Sequence, residues 1–158
     1  MPPEAAAAGA VYRHRGTRAI QRMVEYAPAT GSLALWMRHR DADGPEGGPA
    51  AANDGATIRY GPRFEGLSLA RQTGLVAHQV LHVALRHVPR CQELRRQIGD
   101  VDHALFNICA DAIVNSALGH LGWLELEPGA VRLEELLRQT LGTTQPAETA
   151  LLEWDLES

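Results

Sequence analysis

Two histidines four residues apart, in "LVAHQVLH" (residues 75–82), are the first residues in this chain whose types and spacing could do chemistry. On a helix, His78 and His82 stand one turn apart on the same side. That spacing lets both imidazoles reach one tetrahedral metal ion at about 2.0–2.1 Å. Gln79 follows the first histidine. In zinc peptidases that place holds a glutamate, which takes a proton from the metal-bound water and later delivers it to the leaving amine. An amide can hydrogen-bond the water but cannot accept its proton.

A second candidate lies downstream. "FNICADAIVN" sets Asp111 in a largely apolar helical segment, with Asn107 and Asn115 one turn to either side. A carboxylate facing a core is costly unless it is paired or coordinates a metal. Two histidines, one carboxylate and a fourth place for water make a common catalytic zinc set. The residues alone leave two readings open: a metal site, or two ordinary helix histidines with Asp111 paired to an arginine such as Arg90 or bonded to helix termini.

These groups need elements to position them. A helix is expected over residues 16–27, with Ile20, Met23 and Val24 on one stripe and Pro28 ending it. "GSLALWMRH" alternates Leu33, Leu35 and Met37 with smaller or polar neighbours, the pattern of a strand. Residues 41–55 are rich in Gly, Pro, Asp and Ala and read as a mobile loop. "ATIRYGPRF" reads as a short strand stopped at Gly61-Pro62. A long helix follows over residues 68–86, ended by Pro89. A second starts at Asp100 or Asp102 and runs to Leu118, with Gly119 at its end. "VRLEELLRQTL" is a third amphipathic helix. "ETALLEWDLES" has helical spacing that halts in mid-pattern, which suggests a chain cut from a longer protein. The expected architecture is α+β: a disordered tail over residues 1–15, then one domain over 16–158.

Composition narrows the class. With 158 residues, 45% hydrophobic and 22% charged, the chain suits one soluble domain with its own core. A net charge of -4 gives no electrostatic case for nucleic acid, and no run approaches a membrane span. The basic cluster Arg13, Arg15, Arg18, Arg22 reads as a solvated helix face, and the acidic excess after Leu124 as a solvated tail. Cys91 and Cys109 form no paired motif, and the N-terminus has no signal-peptide pattern, so the expected location is the cytoplasm.

Three stretches together carry a resemblance: "NDGATIRYGPRF", "LVAHQVLHVALRHVPR" and "DHALFNICADAIVN". The chain resembles the metallopeptidase domain predicted in bacterial proteins that carry a von Willebrand factor A-like domain. His87 and Arg90 match the further His and Arg after that family's active helix. Asn107, Asp111 and Asn115 match its next helix, with Cys109 where a small residue is usual. The resemblance implies a small zincin-like domain in which short strands lie beside the active helix. It implies zinc held by His78, His82 and Asp111, and a von Willebrand factor A-like domain or an AAA+ ATPase as partner. Gln79 departs from the family at the general-base place. His120, in "LGHLGW", is the second candidate for third ligand. His87 is read as structural, bonding near Asp102; His103 as a surface residue; the cysteines as bystanders.

Three functions follow. The first is a zinc-binding, metallopeptidase-like domain, catalytically impaired by Gln79, that binds a peptide or protein partner. The second is an active zinc peptidase with another base, for which Asp54 and Glu65 are the upstream carboxylates. The third is a structural adaptor without metal.

Overall fold

At its N-terminal side the chain is pinned where the described structure begins. In this computed structural model, which describes residues 14–45 and 47–156, the Arg15 backbone N–H donates to Asp41 Oδ1. The Arg15 guanidinium donates to the carbonyls of Ala42 and Tyr60. Of the expected tail, residues 1–13 lie outside the described residues, while His14 and Arg15 are packed into the fold. The basic cluster is not a solvated face throughout. Arg18 is exposed, but Arg22 donates to Trp123 O and lies 4.9 Å over the Tyr26 ring.

Helix α1 (Thr17–Tyr26) buries Ala19, Ile20 and Met23. Val24 is more exposed than its place on the stripe implied. Helix α2 (Pro28–Trp36) corrects the expected strand. Pro28 ends one helix because it has no N–H to donate, and the same lack is harmless in the first turn of the next. The Leu33/Leu35 alternation was no pleat: both are exposed, and Gly31 and Ala34 face inward. A Cβ on Gly31 would lie 2.6 Å from Val24 Cα, so the two helices cross backbone to backbone.

Strands β1 (Arg38–Asp41), β2 (Ala51–Asn53) and β3 (Thr57–Tyr60) form a sheet in the order β1-β3-β2. β1 runs parallel to β3, with Arg38 opposite Thr57; β2 runs antiparallel, with Ala51 opposite Tyr60. β2 lies inside the stretch expected to be a mobile loop. Its small residues suit that place: Ala50 and Ala51 are buried, and β3 supplies the ladder. Asp54 closes the β2–β3 turn by accepting from the N–H groups of Ala56 and Thr57.

After a 3-10 turn (Pro62–Gly66), α3 (Leu69–Ala84) starts at Ser68, whose side chain accepts from Arg71 N–H. Beyond its C-cap, Leu85, the chain turns at Arg86, which is left-handed (φ 58). A separate helix α4 (His87–Ile98) follows where the sequence had suggested only an end. Pro89 sits in its first turn, where no intrahelical hydrogen bond is lost. α5 (His103–Leu118) has the expected bounds, with the Asp102 side chain accepting from Leu105 N–H and Gly119 at its end. α6 (Leu133–Leu141) and α7 (Ala147–Glu153) complete the α+β fold.

The main core gathers Met23, Ile58, Tyr60, Phe64, Val76, Val80 and Val114 between α1, the sheet, α3 and α5. Two smaller clusters use the other faces of α5: Ala112 with Leu133 and Leu137, and Phe106 and Ala110 with Cys91. The segment after α5 crosses α3 closely. Glu125 N–H donates to Ala70 O, and a Cβ on Gly74 would meet Glu125 O at 2.0 Å. Among the described residues no helix is long and apolar enough to cross a membrane.

Candidate metal centre

The two ligand-bearing helices, α3 and α5, pack against each other and bring together one face of each. Helical spacing sets the His78 and His82 rings edge to face, 4.6 Å apart, and Asp111 reaches them from α5. Asp111 Oδ1 lies 3.1 Å from His78 Nε2 and 2.9 Å from His82 Nε2, and the two Nε2 atoms are 2.9 Å apart. The histidine side chains are 17% and 12% exposed and Asp111 is 52% exposed, so the group has two dry sides and one open side. Asp111 therefore stands at a cavity rim rather than facing a core. Its ion-pair partners are the two histidines, not Arg90.

Proton counting tests whether these atoms suit a metal. Asn115 Nδ2 donates to Val131 O, which leaves its Oδ1 toward His78 Nδ1 at 3.0 Å. Oδ1 can only accept, so His78 carries a proton on Nδ1, and in its neutral form Nε2 offers a lone pair. His82 Nδ1 is 2.8 Å from Nδ1 of His87, which is buried at the start of α4. If His82 donates there, its Nε2 also presents a lone pair. An ion about 2.0–2.1 Å from each donor in a tetrahedron needs donors about 3.3 Å apart, within a few tenths of an ångström of the distances seen. The set fits a divalent metal.

Without an ion the same nitrogens can carry protons instead. Burial would raise the Asp111 pKa, but hydrogen bonds and charge from His78 and His82, when protonated on Nε2, outweigh it and hold the group well below the usual carboxylate range.

Gln79 lines both cavities beside this group, and its Oε1 accepts from Asn53 Nδ2 on β2. The larger cavity, about 540 Å³, is walled by Leu75, Ile108, Leu126 and Val131, with Arg63 and Glu127 as further charged lining groups. The second, about 410 Å³, runs past His82, His87 and Asn107.

The chain matches a family described as "Putative metallopeptidase domain" over residues 11–158. It belongs to that family. No curated protein and no solved structure matches the chain.

Other candidates stand outside the cluster of His78, His82 and Asp111. His120 is exposed in the turn beyond α5 and lines neither cavity beside His78 and His82. Asp54 is committed to its turn and to Arg59; Glu65 pairs with Arg15 and is 67% exposed. Neither lines these cavities. His103 is exposed, with Nδ1 3.7 Å from Cys91 Sγ. Both cysteines are free, and burial raises the Cys109 thiol pKa.

Sequence reasoning missed Asn53 and Glu127. Neither sits in a periodic pattern, and only the packing of β2 and the segment after α5 against α3 brings them to the site.

Proposed function

We propose that this metallopeptidase-family domain binds zinc through His78, His82 and Asp111, with ordinary peptidase turnover impaired at Gln79, and acts by holding a peptide or protein segment. The observation that carries this reading is the trio of mutual distances, 2.9–3.1 Å, among two imidazole nitrogens and one carboxylate oxygen. Bound zinc would supply a Lewis acid toward a peptide carbonyl or a water molecule. This chain's residues would orient it: Asn115 sets the His78 tautomer, and His87 backs His82. Gln79 cannot take a proton, so the step that needs a base beside the metal has none at that place. The resemblance to von Willebrand factor A-associated proteins supports a module of that kind, or an AAA+ ATPase, as partner.

A second reading, an active zinc peptidase, has one observation in its favour. Glu127 is a carboxylate in the wall of the larger cavity that is not part of the proposed ligand set.

Metal analysis of protein purified without chelator tests the first claim. The expected value is about one zinc per chain, lost in His78→Ala, His82→Ala and Asp111→Ala. Wild-type protein that cannot be loaded with zinc would refute the site and leave the metal-free adaptor. Turnover on a mixed peptide library tests the second. Gln79→Glu should raise chelator-sensitive hydrolysis, since a positioned general base is worth about 10²- to 10⁴-fold. Wild-type turnover as fast as that of Gln79→Glu, and abolished by Glu127→Gln, would establish the active-peptidase reading.

A further inference from the structure

The hydrogen bonds of Gln79 give it a direction as well as a missing charge. Gly55 N–H can only donate, so the Asn53 atom 3.0 Å from it is the oxygen, Oδ1. Asn53 therefore turns Nδ2 toward Gln79, and the Gln79 atom that meets it is the acceptor, Oε1. The other end, Nε2, has no acceptor among the described residues, and the side chain lines both cavities. A hydrogen-bond donor thus faces the space where a glutamate would present an acceptor.

Charge and shape narrow what such a site takes. A divalent ion on two neutral imidazoles and one carboxylate keeps one net positive charge. Arg63 and Glu127, the other charged groups lining the larger cavity, cancel formally. The favoured ligand is therefore a monoanion with two acceptor atoms close together. Leu75, Ile108, Leu126 and Val131 offer an apolar wall beside it.

Resting on the zinc-site reading above, we propose that the larger cavity binds the free C-terminal carboxylate of a peptide whose last side chain is aliphatic. One carboxylate oxygen is directed at the metal position and the other accepts from Gln79 Nε2–H. Asn53 is the positioning residue that keeps this donor turned outward. A terminal carboxamide fits poorly. It has one acceptor for two electrophilic groups, and its own NH₂ would face that of Gln79, leaving donors unpaired.

The test is calorimetric titration of acetyl-Ala-Leu and of its C-terminal amide into zinc-loaded protein, with zinc content read on the same samples. Wild type should bind the free acid at least about tenfold more tightly than the amide. Gln79→Glu should lose or invert that preference while keeping its zinc, because a carboxylate then faces a carboxylate. In Asn53→Ala the preference should shrink to about threefold or less, since Gln79 is free to turn. Equal binding of acid and amide by zinc-loaded wild type overturns the proposal, as does an undiminished preference in Gln79→Glu. Acetate binding as tightly as acetyl-Ala-Leu overturns the peptide assignment and points to a small free carboxylate. Wild type that takes up no zinc overturns the metal site and this proposal together, whereas zinc-loaded protein without the preference overturns this proposal alone.

Discussion

Asn115 joins two tasks in one side chain: it donates to Val131 O and accepts from His78 Nδ1. The second task makes the His78 Nε2 lone pair available, and such supporting partners are typically worth 10- to 100-fold in metal affinity. Asn115→Ala should therefore weaken zinc binding by about that factor, measured by competition with a chromogenic chelator. Asn115→Asp keeps an acceptor for His78 and loses the donor to Val131. It should lose stability but retain most of the affinity. Equal affinity losses in the two variants would show that Asn115 acts through packing alone. From sequence, the His78/His82 pair and Asp111 were legible because spacing on a helix and a carboxylate in an apolar run are local patterns. That Asn115 sets a tautomer was not legible, since it depends on Val131 lying across from it. The polarity of Gln79 likewise depends on Asn53, which comes from a strand hidden in a Gly- and Pro-rich stretch.

Elements bounded by their own punctuation were readable in advance, as the two ligand helices show. Asp102 and Gly119 bracket α5 as expected, and apolar periodicity places α3 within its expected span, although a left-handed Arg86 and not Pro89 separates it from α4. α2 and β2 escaped because tertiary fit decides them: Gly31 serves a helix crossing, and Ala51 is buried where β2 packs against α3. The seam between α2 and the sheet carries a titratable pin. His39 on β1 has Nε2 2.6 Å from Ala34 O and Nδ1 2.7 Å from the Tyr60 hydroxyl, and it stacks on His14. Nε2 donates to the carbonyl, so neutral Nδ1 accepts from Tyr60 O–H. Burial lowers the His39 pKa, and this outweighs the hydrogen bond to Ala34 that raises it. With the folded pKa below the ordinary 6.5, the unfolded chain takes up more protons as pH falls through that value. The stability His39 contributes is present above pH 6.5 and is lost toward its folded pKa. Melting curves in chelator at pH 7.5 and 5.5 should show wild type losing on the order of a few °C more than His39→Asn over that interval. Equal losses would place the acid sensitivity elsewhere.

Across the whole molecule, α5 is the shared plank of three cores. It gives Val114 and Leu118 to the main cluster, Ala112 to the cluster under α6, and Phe106 and Ala110 to the one under α4. The proposed ligands join this plank to α3 at an open rim, beside the main core that the two helices share. Asp111 is half exposed, and without an ion the charged carboxylate has, among the described residues, only the two imidazoles to hold it. Zinc at that rim would bind the folded arrangement and not the unfolded chain, so the gain follows mass action: about 2.7 kcal/mol at a free concentration 100 times Kd. For a domain of this size each kcal/mol moves Tm by roughly 2–4 °C, which makes a shift of about 5–10 °C. The shift should grow with zinc concentration, vanish with chelator, and be absent in Asp111→Ala, which keeps both histidines on one helix but removes the link to α5. If Asp111→Ala still bound zinc and showed the full shift, the ion would be stabilising α3 alone, and the joining of the two helices through the metal would be refuted.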